Sequence, residues 1–144
     1  VWPAKKSATD AYAYKFAHNK TIPGSCAVDN NGYVHAVDIE GTYFILKPDY
    51  DAQDVVLVKK TTIKELVRGC GVAGLTDAES VTVKSSVKIG HDGKLYVNAN
   101  FKKGSATVGG TVCFSFEATT GVCTESSWPQ AGADQMNTNR QVGY

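Results

Sequence analysis

The stretch Ser80-Val81-Thr82-Val83-Lys84-Ser85-Ser86-Val87-Lys88-Ile89-Gly90-His91-Asp92-Gly93-Lys94-Leu95-Tyr96-Val97-Asn98-Ala99-Asn100-Phe101 decides the fold. Val81, Val83, Val87 and Ile89 alternate with polar residues, His91-Asp92-Gly93 intervenes, and Leu95, Val97, Ala99 and Phe101 alternate again. That is the period of two half-buried β-strands joined by a turn. A two-residue Asp92-Gly93 loop would set Lys88 opposite Val97 and carry lysine onto the apolar face. A three-residue loop, closed by Gly93 in the left-handed region, sets Ile89 against Leu95, Val87 against Val97 and Val83 against Phe101. A one-residue slip inverts every side chain, so matching of faces selects the three-residue loop.

The same grammar runs outward from this hairpin. Asn30-Asn31-Gly32 is expected to turn in the same way, pairing Val28 with Val34 and Cys26 with Ala36. Thr42 to Lys47 is apolar on both faces and reads as a central strand, ended by Lys47-Pro48-Asp49. Val55 to Lys59 begins another strand. Thr62-Ile63-Lys64-Glu65 fits a capping box for a short helix running to about Cys70, with Gly69 or Gly71 as its stop. A second candidate helix runs from about Thr9 to Asn19, where Ala13, Phe16 and Tyr12 could share a face, although Tyr12, Tyr14 and Phe16 also alternate as a strand would. Pro129 to Tyr144 is polar and aperiodic. The expectation is therefore an α+β, β-rich fold: a mainly antiparallel sheet with one or two short helices, disulfide-stapled, one domain over 1–128 and an extended tail over 129–144.

Composition agrees with a single globular unit. At 144 residues, 42% hydrophobic, the chain is long enough to bury about two-thirds of its unfolded surface without metal or partner. A formal charge of +1, with 15 Lys+Arg against 14 Asp+Glu spread evenly, excludes the basic field that drives nucleic-acid binding. No apolar run approaches the roughly 18 residues of a membrane span, so no membrane insertion by this stretch is expected. Cys26, Cys70, Cys113 and Cys123 form an even set without zinc-site spacing. With Val1 as the first residue, they point to a processed chain in an extracellular or cell-surface setting with two disulfides. Three connectivities are open. Closing Cys26 to Cys70 would contribute roughly 4 kcal/mol and Cys113 to Cys123 somewhat under about 3.

The chemical motifs are weak. Gly69-Cys70-Gly71-Val72-Ala73-Gly74 has the letters of a dinucleotide loop, but it follows a helical stretch rather than a strand, so no cofactor is expected. Asp49, Asp51 and Asp54 are spaced to gather around calcium, yet the run lacks the glycine and closing glutamate of the twelve-residue loop; a solvated turn after Pro48 is the better reading. His91 sits in a turn, and His35 on a strand. Either, near a carboxylate, would serve a small secreted hydrolase as acid and base. Seven Tyr, five Phe and two Trp alternate into strands and read as core. Asn19-Lys20-Thr21 is a glycan acceptor pattern.

Val112 to Thr124 is the most informative remaining stretch. Alternation sends Val112, Phe114 and Phe116 one way and Cys113, Ser115 and Glu117 the other. A loop over Thr119-Thr120-Gly121 would set Cys113 opposite Ser127, too far from Cys123 to bond; a wider loop from Phe116 to Thr120 brings the cysteines face to face. The bridged arrangement is preferred. A helix-turn region before an antiparallel sheet, with Cys113 and Cys123 bracketing a hairpin ahead of a polar tail, resembles the globular head of type IV pilins and pseudopilins over Ser80 to Tyr144. The apolar N-terminal assembly helix of that family is absent. The resemblance implies a structural or adhesive module, a filament subunit without catalytic residues that self-associates, with Trp2 and Tyr144 as assembly contacts at the exposed ends. A ligand-binding barrel or sandwich is the other non-enzymatic reading.

Overall fold

The fold is that of a computed structural model, which describes residues 18–49, 51–52, 54–116 and 121. Among the described residues, eight strands and one helix follow in chain order: β1 (Ala27–Val28), β2 (Val34–Val37), β3 (Thr42–Asp49), β4 (Asp54–Thr62), α1 (Ile63–Val67), β5 (Ser80–Val83), β6 (Lys88–Ile89), β7 (Leu95–Lys103) and β8 (Ala106–Phe114). They form two antiparallel sheets. The first is a meander, β1-β2-β3-β4; in the second, β5 and β6 share one side of β7 and β8 takes the other.

The two sheets bury a common core. Val37, Tyr43 and Ile45 from the first meet Val81, Val83, Ile89, Leu95, Val97 and Phe101 from the second, with Ile63 and Val67 of α1 closing the cluster. Sheet one is buried on its reverse face too, where Val34, Phe44 and Leu46 pack with Val28 and Val55. This is why β3 is apolar on both faces: it is the inner strand between β2 and β4, buried without interruption from Tyr43 to Leu46. β3 continues through Pro48, which faces Val55, rather than stopping at Lys47.

The recurring turn is realised three times. Asp29 N–H donates to Tyr33 O and Gly32 N–H to Asp29 O; Asp38 N–H to Thr42 O and Gly41 N–H to Asp38 O; Gly90 N–H to Lys94 O and Gly93 N–H to Gly90 O. Each turn closes on a glycine with positive φ, 78°, 82° and 74° respectively, a conformation that a side chain would strain. The expected pairs Val28 with Val34 and Ile89 with Leu95 are both formed. Val83, however, stands opposite Ala99 and Val81 opposite Phe101. The slip is two residues, which keeps every face. Its cause is Ser85, whose hydroxyl donates to Asn98 O and accepts from Asn98 N–H, each at 3.0 Å, taking the place of a backbone ladder rung.

Helix α1 starts as read: Thr62 accepts from Glu65 N–H while the Glu65 carboxylate accepts from Thr62 N–H. It is five residues long. The second expected helix, apart from His18 and Asn19, lies outside the described residues, as do the 128/129 boundary and the tail. The disulfide-stapled fold is corrected. No pair of sulfurs is bonded among the described residues, and Cys26, Cys70 and Cys113 are free and exposed. Cys113 stands outward on β8 opposite Tyr96, and Cys26 precedes β1 in the other sheet. A shared core of two interlocking apolar faces holds the sheets together where bridges were expected.

Candidate functional site

The first place to look for chemistry is the set of buried polar side chains: Asp29, His35 and Asp38, each at most 1% exposed. Asp29 begins the first turn, and its Oδ1 accepts from Asn31 N–H at 2.9 Å and Tyr33 N–H at 3.0 Å. Its Oδ2 lies 2.9 Å from His35 Nε2, and His35 Nδ1 lies 2.7 Å from the Tyr43 hydroxyl. The tautomer that satisfies all three groups carries its proton on Nε2, donating to Asp29 and accepting from Tyr43. Burial, then the Asp29 carboxylate and the Cys26 sulfur, push the Tyr43 phenol well above its ordinary value. These three side chains tie the β1–β2 turn to β2 and β3 within the interior. Chemically they have the parts of an acid-base relay, but their position is that of a clamp holding the first hairpin to the central strand.

Asp38 repeats the arrangement one hairpin later. Its Oδ1 accepts from Glu40 N–H at 2.9 Å and Thr42 N–H at 2.8 Å, and its Oδ2 lies 3.2 Å from His18 Nε2. His18 also sets its ring edge-on to Phe44, with centroids 4.7 Å apart. The third turn differs in a way that explains its sequence. Its first residue is Gly90, and a Cβ there would fall 2.6 Å from Asp92 Oδ1 and 2.8 Å from the Tyr96 ring. The carboxylate comes instead from within the turn: Asp92 accepts from Lys94 N–H and from the Tyr96 hydroxyl, at 3.1 and 2.8 Å. Asp92 first, then the Cys113 thiol, raise the Tyr96 phenol.

The sequence-derived site residues are scattered. Asp49 spends Oδ1 on the N–H groups of Asp51 and Ala52, and Asp54 accepts from Val55 N–H, so both serve the β3–β4 turn. No cluster of three metal-ligating side chains occurs among the described residues. The Gly69–Gly74 segment leaves α1 toward β5. In it the Val72 N–H, then the Thr76 hydroxyl, lower the Cys70 thiol below its ordinary value. His91 is exposed in its turn. Trp2, Cys123 and Tyr144 lie outside the described residues.

What the sequence reading missed is the outward face of sheet two. Alternation along its strands turns Thr82 from β5, Tyr96, Asn98, Asn100 and Lys102 from β7, and Thr107, Gly109, Thr111 and Cys113 from β8 away from the core. Thr82, Lys84, Ser85, Asn98, Asn100 and Thr111 line an open hollow of about 560 Å³ whose floor is thinned by Gly109 and Gly110. Thr111 donates to the Asn98 side-chain carbonyl at 2.6 Å, which leaves the Asn98 amide nitrogen as a donor beside the Asn100 amide on the same face. The outward strand positions carry no carboxylate, and Lys84, Lys88 and Lys102 are cations of this face. The arrangement can present several neutral donors and acceptors to a polar ligand at once. Its signal in the sequence was the Asn98–Asn100 and Thr111–Gly109 spacing of two, which strand periodicity alone could have placed on one face. Comparison with family models, with curated proteins and with solved structures finds no match to this chain.

Proposed function

We propose that this chain is a structural or adhesive module whose working surface is the outward face of sheet two, and that the surface takes a hydroxyl-rich ligand, a glycan chain. The observation carrying this reading is the hollow over Gly109 and Gly110, rimmed by the Asn98 amide, whose carbonyl is held by the Thr111 hydroxyl, by the Asn100 amide, the Thr82 hydroxyl and Lys84. Sugar hydroxyls pair with side-chain amides in both senses, and a shallow polar sheet face admits an extended chain of them. The buried Asp29–His35–Tyr43 chain supports the same reading, because its polar atoms are engaged with one another and with the first turn.

A glycan array carrying neutral and acidic saccharides tests the proposal. Binding to a defined set is expected, with affinity falling about tenfold in Asn98→Ala/Asn100→Ala as two hydrogen bonds are lost, while the thermal melt stays in place. An array without signal, or binding untouched by the double substitution, overturns it.

A further inference from the structure

A different observation concerns the free edge of sheet one. β4 is its last strand, nine residues long, hydrogen-bonded to β3 on one side only among the described residues. Its middle is apolar and open: Val56 is 49% exposed, Leu57 42% and Val58 42%. Such an edge presents unpaired N–H and C=O groups together with apolar side chains, which is the template on which another strand adds. The strand is also charged asymmetrically, Asp54 at its start and Lys59 and Lys60 beyond the apolar run.

We infer that β4 is a self-association surface on which a second copy of this chain pairs antiparallel about Leu57. A two-fold axis through the Leu57 pair sets Val56 beside the partner's Val58 and brings Asp54 of each copy against the Lys59–Lys60 end of the other, twice per interface. A parallel pairing would oppose like charges. The ladder to β3 skips one residue at Val58, so that Ile45 faces Lys59 and Leu46 faces Leu57; either lysine can then meet Asp54. The product is a continuous eight-strand sheet across two copies, isologous and closed. The contact is narrow, so the dimer is expected to be weak and concentration-dependent.

Sedimentation velocity on the full chain over a wide concentration series tests this. A monomer–dimer equilibrium is expected, weakened about tenfold by Asp54→Lys, which turns two attractive contacts into repulsive ones. Lys59→Glu/Lys60→Glu is expected to weaken it equally, and the combination of all three changes to restore it. Lys60 also lies over the Phe44 ring, so thermal melts accompany the lysine variant, and Asp54→Lys stands alone as the readout if that variant unfolds. A wild-type chain that stays monomeric throughout overturns the inference, as does association indifferent to Asp54→Lys.

Discussion

Asp29 and His35 share a 2.9 Å hydrogen bond with both side chains fully shut off from solvent. The bond links the first residue of a turn to the second residue of the strand that leaves it, so hairpin geometry and interior polarity are one device. The other oxygen of the same carboxylate, Oδ1, accepts from two backbone N–H groups. Replacing Asp29 with alanine therefore strands His35 and the turn amides together. A loss of about 3 kcal/mol, read as a shift of the urea midpoint, is expected, since each buried donor left unsatisfied costs about 1–3 kcal/mol. Asp92→Ala, in the exposed third turn, is expected to cost much less. Equal losses at the two positions would remove the clamp role assigned to Asp29.

The Tyr43 hydroxyl makes a pH prediction. Burial and the Asp29 charge keep it protonated in the folded chain above its ordinary value of 10.0, where an unfolded chain has already lost that proton. The unfolded state then binds fewer protons than the folded one, so stability falls as pH rises through 10 and beyond. Tyr43→Phe removes its own share of this slope and leaves that of Tyr96, whose phenol Asp92 also raises. It also leaves His35 Nδ1 without its partner, at about 1–3 kcal/mol near neutral pH. Denaturant titrations at pH 7 and above pH 10 are expected to show the variant weaker at the first and less changed at the second. An unaltered alkaline slope in Tyr43→Phe contradicts the account.

The thiols are expected to differ in reactivity. Burial of its sulfur raises the Cys26 thiol, although the residue as a whole is exposed, while the Val72 N–H and Thr76 hydroxyl lower the Cys70 thiol. More thiolate at neutral pH means faster alkylation. Timed iodoacetamide labelling with peptide mapping should modify Cys70 first and Cys26 later, without prior reduction. Cysteines at 26, 70 and 113 that react only after a reductant would reinstate disulfides and refute the arrangement described.

How much of this was legible depended on the range of the signal. Ile89 opposite Leu95 follows from local alternation and one glycine, and so did the Thr62–Glu65 box; both are set within a few residues. The register at Val83 was legible only as to face, because Ser85 standing in for the backbone is a contact thirteen residues away at Asn98. Cysteine pairing failed for a related reason. An even count carries no distances, and Cys26 precedes β1 of the first sheet while Cys113 lies on β8 of the second. The buried carboxylates left a trace that went unread: Asp29 and Asp38 each stand three residues before a turn glycine, and the same position in the third turn is Gly90. The hollow on sheet two needed three strands to be placed side by side before its residues met.

Gly24 provides the last test, because it measures an approach between distant loops rather than a turn. A Cβ there would lie 2.6 Å from Ser86 N and 2.7 Å from the Ser85 carbonyl, contacts that backbone movement alone can relieve. The neighbouring Ser25 N–H donates to the Ser86 hydroxyl at 2.9 Å, so the two segments are held at this distance. The Ser85–Ser86 segment is also what sets the two-residue slip against β7 and one wall of the hollow. Gly24→Ala is expected to cost about 1–3 kcal/mol through overpacking and to disturb Asn98 along with it. Amide exchange at Asn98, whose N–H is held by the Ser85 hydroxyl, should speed up in the variant beyond what the global loss of stability accounts for. Protection at Asn98 that falls only in step with the rest of β7 would show that the loop contact does not reach the hollow.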